Sequence, residues 1–233
     1  MSPPKADRGR IDPPIPPLRD GDRLSRNEFE RRYDAMPDDR KAELLRGVVC
    51  LASPVRRRHG RPHARLLYWL VAYEEVTPGV ETAGDITVRL DFESEPQPDA
   101  VLCVEPALGG QTHTDPEDYI EGPPELVAEV SAGTLRRDLG VKLEIYRERG
   151  VLEYLVLRVG RREADWFHLA GASYERIEAG KDGILRSIVF PGLWLDPRAL
   201  FDSDLRRLRE VVQAGTSTPE HARFVERLAA RRR

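Results

Sequence analysis

Two short runs, Ala100–Val104 and Leu126–Val130, are apolar at nearly every position. A strand covered on one face alternates apolar and polar residues, whereas a run apolar at both parities must be covered on both faces, as the central strands of a layered sheet are. The second run breaks its own pattern once, at Glu129 between Ala128 and Val130. Burying an unpaired carboxylate is costly enough that this acid needs a cation beside it. A divalent metal meets that need. Asp99, held by Pro98 at the head of the first run, offers a second oxygen ligand and the Val130 carbonyl a third. Hard cations such as Mg2+ take carboxylate, carbonyl and water oxygens.

A helix is expected around Leu139 to Arg149, closed by Gly150, and it carries Lys142. Laid over the sheet, it can aim an ammonium at the same mouth, where a lysine can orient an attacking water and neutralise charge developing on a phosphate. Asp138, four residues earlier, can pair with Lys142 along the helix and hold its rotamer. Plainer readings stand beside these. Asp99 could simply start a strand, Glu129 could pair with Arg136 or Arg137, Lys142 could be solvated, Asp138 could cap its helix, and Glu153 beside Tyr154 reads first as a structural or supporting acid.

With 233 residues the chain can bury one sizeable core. Its net charge of -3 gives no overall attraction to nucleic acid, so such contacts must come from local arginine patches. The richest patch surrounds His59 and His63: Arg56 to Arg58, Arg61 and Arg65. His59, His63, Arg58 and Arg61 are therefore candidates to touch phosphates, against the alternative of a solvated helix entrance. Cys50 and Cys103 lie in apolar runs and read as small hydrophobes. His113, His168 and His221 are too scattered for a zinc site. No apolar run approaches bilayer length, and a cytoplasmic protein is expected.

Residues 1–20, rich in proline and charge, read as a flexible arm. A domain over 21–200 and a C-terminal helical extension over 201–233 complete the expected organisation. Within the domain, Ser25 to Glu28 has capping-box spacing before a helix ended by Pro37. Val48 to Ala52 reads as a strand. Pro62 suits the first turn of a helix running to Glu75, with Leu66, Leu67, Leu70 and Val71 on one face. Val80 to Leu90 and Val151 to Val159 read as strands, residues 105–124 as a loop. Ala164 to Leu169, Tyr174 to Ile177 and Leu185 to Phe190 form a meander extending the sheet.

Several of these motifs stand in one order: Glu43-Leu-x-x-Gly47, a histidine before the long helix, Pro98-Asp99 ahead of a strand, Glu129-Val130-Ser131, Asp138-x-x-x-Lys142-x-x-x-Tyr146 and Gly150-Val151-x-Glu153-Tyr154. From about Phe29 to Trp194 the chain resembles the Uma-two family of putative restriction endonucleases, a branch of the PD-(D/E)xK nuclease superfamily. The resemblance implies an α/β (α+β) fold, a restriction-endonuclease-like mixed sheet flanked by helices. It further implies Mg2+-dependent cleavage of DNA, with Mn2+ as a substitute ion, and homodimers. On the matching positions Asp99 and Glu129 would bind metal, Lys142 would be the catalytic lysine, and Glu43 would be an acid on an N-terminal helix near the metal. Ser131 occupies the place, two residues after Glu129, where the wider superfamily usually has a lysine; that role has moved to Lys142. RNA stays open as a substrate. The alternative is a catalytically inactive nuclease-fold module that binds nucleic acid or a protein partner.

Overall fold

The computed structural model describes residues 14–37 and 40–232. Most of the expected arm, residues 1–13, lies outside the described residues. In chain order the elements are α1 (Arg26–Tyr33), β1 (Ala42–Leu45), β2 (Val48–Leu51), α2 (Arg57–Glu74), β3 (Val80–Gly84), β4 (Val88–Arg89) and β5 (Ala100–Val104). They continue with β6 (His113–Thr114), β7 (Ile120–Glu121), β8 (Leu126–Ser131), α3 (Leu135–Arg137), a segment kinked at Gly140 (Asp138–Lys142), α4 (Leu143–Arg149) and β9 (Glu153–Arg158). The chain ends in β10 (Glu163–Ala170), β11 (Ser173–Arg176), β12 (Leu185–Arg186), β13 (Trp194–Leu195), α5 (Pro197–Asp202), α6 (Leu205–Thr216) and α7 (Pro219–Arg231).

The main sheet is six-stranded and mixed, in the order β11-β10-β9-β8-β5-β3. Only β8 and β9 pair in parallel, joined by the α3–α4 crossover. The doubly apolar runs are the centre: every residue of β5 and of β8 is buried. Strand alternation sorts them into two cores. Leu102, Ala128, Val130 and Leu155 join Trp69 of α2 and Leu208, Phe224 and Leu228 of the last helices. Val101, Val127, Tyr154 and Val156 face Tyr146 of α4. Glu129 shares the parity of Val127, so it points to the α4 side. A smaller core of Leu18, Phe29, Leu44 and Val49 ties the β1–β2 hairpin to α1.

Helices α6 and α7 thus close the same core as the central strands. Leu18 is buried and Asp20 accepts a hydrogen bond from the Leu51 amide, so packing begins before Ser25. Ser25 is the N-cap residue of α1 but makes no side-chain cap bond; Glu28 pairs instead with Arg31 and Arg32. Helix α2 starts at Arg57 rather than Pro62, which leaves the Arg58 carbonyl without its usual amide partner. Its buried face is Leu66, Trp69, Leu70 and Tyr73, while Val71 is exposed.

Three further departures have local causes. The run from Val80 to Leu90 breaks at Asp85, whose φ of 55° ends β3; β4 then pairs in parallel with β7. Residues 105–124 are not structureless, since β6 and β7 form there. The meander stops at β11, because β12 pairs with β13 outside the main sheet. The amides of Ile188 and Val189 are not free for a strand partner, since both donate to the Glu153 carboxylate. Among the described residues no helix is long and apolar enough to cross a membrane.

Candidate active site

Lys142 is the hub of a buried polar cluster on the α4 face of the sheet. Its ammonium lies 2.8 Å from Oε1 of Glu129 and 2.6 Å from Oε1 of Glu43. Tyr146, one helical turn beyond Lys142 and so on the same face, donates its hydroxyl to the same Glu129 oxygen at 3.1 Å. Among the described residues Oε2 of Glu129 makes no hydrogen bond.

Glu43 stands on strand β1, which corrects the helix position that the resemblance implied. Ala42 and Leu44 point into the small core, and the strand's alternation turns Glu43 the other way, toward Lys142. The Gln97 amide donates to Oε1 of Glu43 at 2.8 Å, and Arg137 lies 3.8 Å from Oε2. The expected pairing of Asp138 with Lys142 is not the one that holds the lysine. Asp138 accepts a hydrogen bond from the Thr134 hydroxyl at 2.5 Å, while a kink at Gly140, at φ -114° and ψ -107°, breaks regular helical spacing between the two.

Asp99 caps the ladder between β5 and β8. Beyond the Ala100–Ala128 pair, its carboxylate takes the Val130 amide at 2.6 Å in place of a strand carbonyl. His59 Nε2 approaches the same carboxylate at 3.1 Å, and His63 Nε2 lies 2.8 Å from the Asp99 carbonyl. Both imidazoles, expected at phosphates, are instead engaged with Asp99. Sequence reasoning missed this. The signal was their spacing of four on one helix face; Asp99, which they meet, is distant in sequence. The Val130 carbonyl accepts one hydrogen bond, from Ala132, and keeps its second lone pair.

These residues converge. One cavity of about 560 Å³ is lined by Glu43, Asp99, Glu129, Val130, Asp138 and Lys142, with His59 in its wall. Ser131 and Glu153 do not line it. Ser131 is buried, with no hydrogen-bond partner for its hydroxyl among the described residues. Glu153 sits at the other end of the sheet, in register with Leu126, and anchors Trp166, Ser187 and two backbone amides.

Burial pushes the Glu129 carboxyl well above the usual range; Lys142 opposes this, and the charges of Asp99, Asp138 and Glu43 add to it. Burial would lower Lys142, but Glu129, Glu43 and Asp138 outweigh it and raise the ammonium above its ordinary value. Lys142 therefore keeps its proton. For Asp99, burial is overcome by the His59 hydrogen bond and charge and by the Val130 amide, which hold it below the ordinary carboxylate value. That hydrogen bond in turn raises His59 against its burial. Three carboxyl groups, those of Glu129, Glu43 and Asp138, thus act on Lys142, while Lys41, Arg56, Arg58 and Arg137 line the rest of the cavity.

The donors at this cavity are of the kind that take a divalent cation. His59, His63 and Asp99 each offer one ligand atom, all within 4.8 Å of one another. Glu129, with its Oε2 unengaged, lines the same cavity but is not one of that group, and the spare lone pair of the Val130 carbonyl is another oxygen donor in the cavity.

The family model Uma2, described as "Putative restriction endonuclease", matches residues 26–198. Among curated proteins there is no match. Among solved structures, the crystal structure of a putative nuclease belonging to DUF820 from Anabaena variabilis is similar, with a TM-score of 0.60 at 10% sequence identity, covering 77% of this chain and 98% of that one. At that identity the likeness concerns the fold.

Proposed function

The chain belongs to the Uma2 family of putative restriction endonucleases, and from that premise we propose that it is a metal-dependent endonuclease that hydrolyses phosphodiester bonds in DNA. The observation that carries this reading is the meeting of Glu43 of β1, Asp99 just before β5, Glu129 of β8 and Lys142 of the helical crossover in one cavity.

In this reading Asp99, Glu129 and the Val130 carbonyl hold Mg2+, with Mn2+ as a substitute. When bound, the ion supplies Lewis-acid polarisation of a phosphoryl oxygen and a more acidic bound water. The chain's own residues do the rest. Lys142, kept charged by two carboxylates, donates to the attacking water and balances negative charge that builds on the phosphate. Glu43 fixes the lysine's direction, and the Gln97 amide fixes Glu43. His59 holds the Asp99 carboxylate in place. Arg58, at the cavity's rim, can meet a neighbouring phosphate. Homodimerisation belongs to the same proposal and is read by light scattering.

The test is DNA cleavage in Mg2+, abolished by EDTA and by Glu129→Ala. Intact DNA across varied substrates, in Mg2+ and in Mn2+, contradicts the proposal. A second reading, a nuclease fold that binds nucleic acid without turnover, draws on the burial of Lys142, which is 3% exposed and already engaged by two carboxylates. Glu129→Ala separates the two: it kills cleavage in the first, while in the second it leaves or improves DNA binding by relieving repulsion.

A further inference from the structure

A second cavity, about 540 Å³, adjoins the first. One wall is the N-terminal half of α2, carrying Arg57, Arg58, Arg61 and Arg65; the other is formed by Arg162 and by residues 200–203. Five guanidinium groups share a space lined by one carboxylate, Asp202, and that carboxylate is paired with Arg162. Arg57, Arg58 and Arg61 have no ion-pair partner among the described residues, in a chain with 40 acidic residues against 37 basic ones. Burial and the neighbouring charge of Arg61 hold Arg65 below the ordinary arginine value, so repulsion within the row is unrelieved. Such a row costs stability unless something anionic lies against it.

Arg58 belongs to both cavities. Its guanidinium reaches the turn after β8, where a Cβ on Gly133 would stand 3.7 Å from it. The two cavities therefore meet at Arg58, which lies between the carboxylates and the arginine row.

We propose that this arginine groove seats the phosphodiester backbone of a nucleic acid beyond the cleaved bond, with Arg57, Arg61 and Arg65 each meeting a phosphate. The inference rests on the nucleic-acid reading of the neighbouring site. From Arg57 to Arg65 the helix rises about 12 Å, which matches roughly three to four phosphates at about 3.4 Å of axial rise along one strand. Guanidinium groups suit this ligand because their donors pair bidentately with phosphate oxygens. A free anion would fill one position and leave the others bare.

The test is fluorescence anisotropy of a labelled duplex of about 20 base pairs in EDTA, so that binding is read without cleavage, across a salt series. Wild type is compared with an Arg57→Ser/Arg61→Ser/Arg65→Ser triple variant and with the corresponding Arg→Lys triple, which keeps the charge; circular dichroism checks folding of both. The serine variant is expected to lose at least tenfold in affinity, and its slope of log affinity against log salt to fall by about 3, at about 0.9 for each phosphate no longer neutralised. The lysine variant is expected to keep the slope. If the serine variant is misfolded, the wild-type slope and competition by inorganic phosphate decide. A slope below about 2, or phosphate at low millimolar concentration displacing the duplex, overturns the groove as a backbone track. Equal affinity and slope in wild type and serine variant also overturn it. The same preparations incubated with Mg2+ separate the two proposals. Cleavage with an unchanged serine variant sinks the groove alone, and groove-dependent binding without cleavage sinks the nuclease reading alone.

Discussion

Two buried glutamates on neighbouring parallel strands, Glu129 of β8 and Glu153 of β9, have the same chemistry and opposite consequences. Both are pushed upward by burial, Glu153 to about 7. Glu153 is closed: Trp166 Nε1, the Ser187 hydroxyl and the amides of Ile188 and Val189 donate to its two oxygens at 2.7–3.1 Å. Glu129 is open: Lys142 and Tyr146 share one oxygen, the other is unengaged, and the residue borders a cavity. Burial and a raised carboxyl alone do not mark a site; an incomplete set of donors facing a cavity does. A closed carboxylate holds structure together, whereas an open one can take a metal or a substrate.

The contrast can be broken most forcefully at Glu129. Glu129→Gln, nearly isosteric, is expected to lower DNA cleavage by roughly a hundredfold or more while the fold survives, as read by single-turnover assays beside circular dichroism. Glu153→Ala should do the reverse. It leaves four donors, that of Trp166 buried and those of Ser187, Ile188 and Val189 partly so, without their acceptor, costing about 3 kcal/mol and lowering Tm by roughly 10 °C. Calorimetry checks this, and a Tm unchanged by Glu153→Ala would undo the distinction.

A third expectation follows from the sign of the Glu153 shift. Its folded value, about 7, lies above the ordinary 4.5, so the folded state binds a proton that the unfolded chain has already released. Its contribution to stability is fullest below the unfolded value and is lost as pH rises to about 7, a matter of a few kcal/mol at about 1.4 per unit. Urea unfolding across that window should show the decline in wild type and a flatter profile in Glu153→Gln. The smallest effect is expected at Ser131→Ala. Its hydroxyl is buried without a partner, so stability should change by no more than about 0.5 kcal/mol, measured by the same unfolding curves.

What could be read in the sequence follows the same division between local and distant causes. The central strands were legible because doubly apolar runs leave few alternatives, and Glu129 was legible because it interrupts one. Lys142 was legible too, but its partner is not Asp138, since counting in fours assumes a regular helix and the kink at Gly140 is not visible in the residue spacing. Glu43 lies on a strand rather than a helix; Ala42 to Leu45 are all buried, so no alternation marks β1. The engagement of His59 and His63 with Asp99 depends on α2 crossing the end of β5, where segments far apart in the chain meet. The shortened meander has the same origin, because the amides that would extend it are taken by Glu153.

The central claim is that Glu129 is an open carboxylate at a metal-dependent cleavage site, and its most direct test is Mg2+-dependent DNA cleavage by wild type and by folded Glu129→Gln in parallel. Cleavage by the wild type that EDTA stops and that Glu129→Gln lacks is the predicted result. Undiminished cleavage by Glu129→Gln, or a wild type that leaves DNA intact in both Mg2+ and Mn2+, would contradict it.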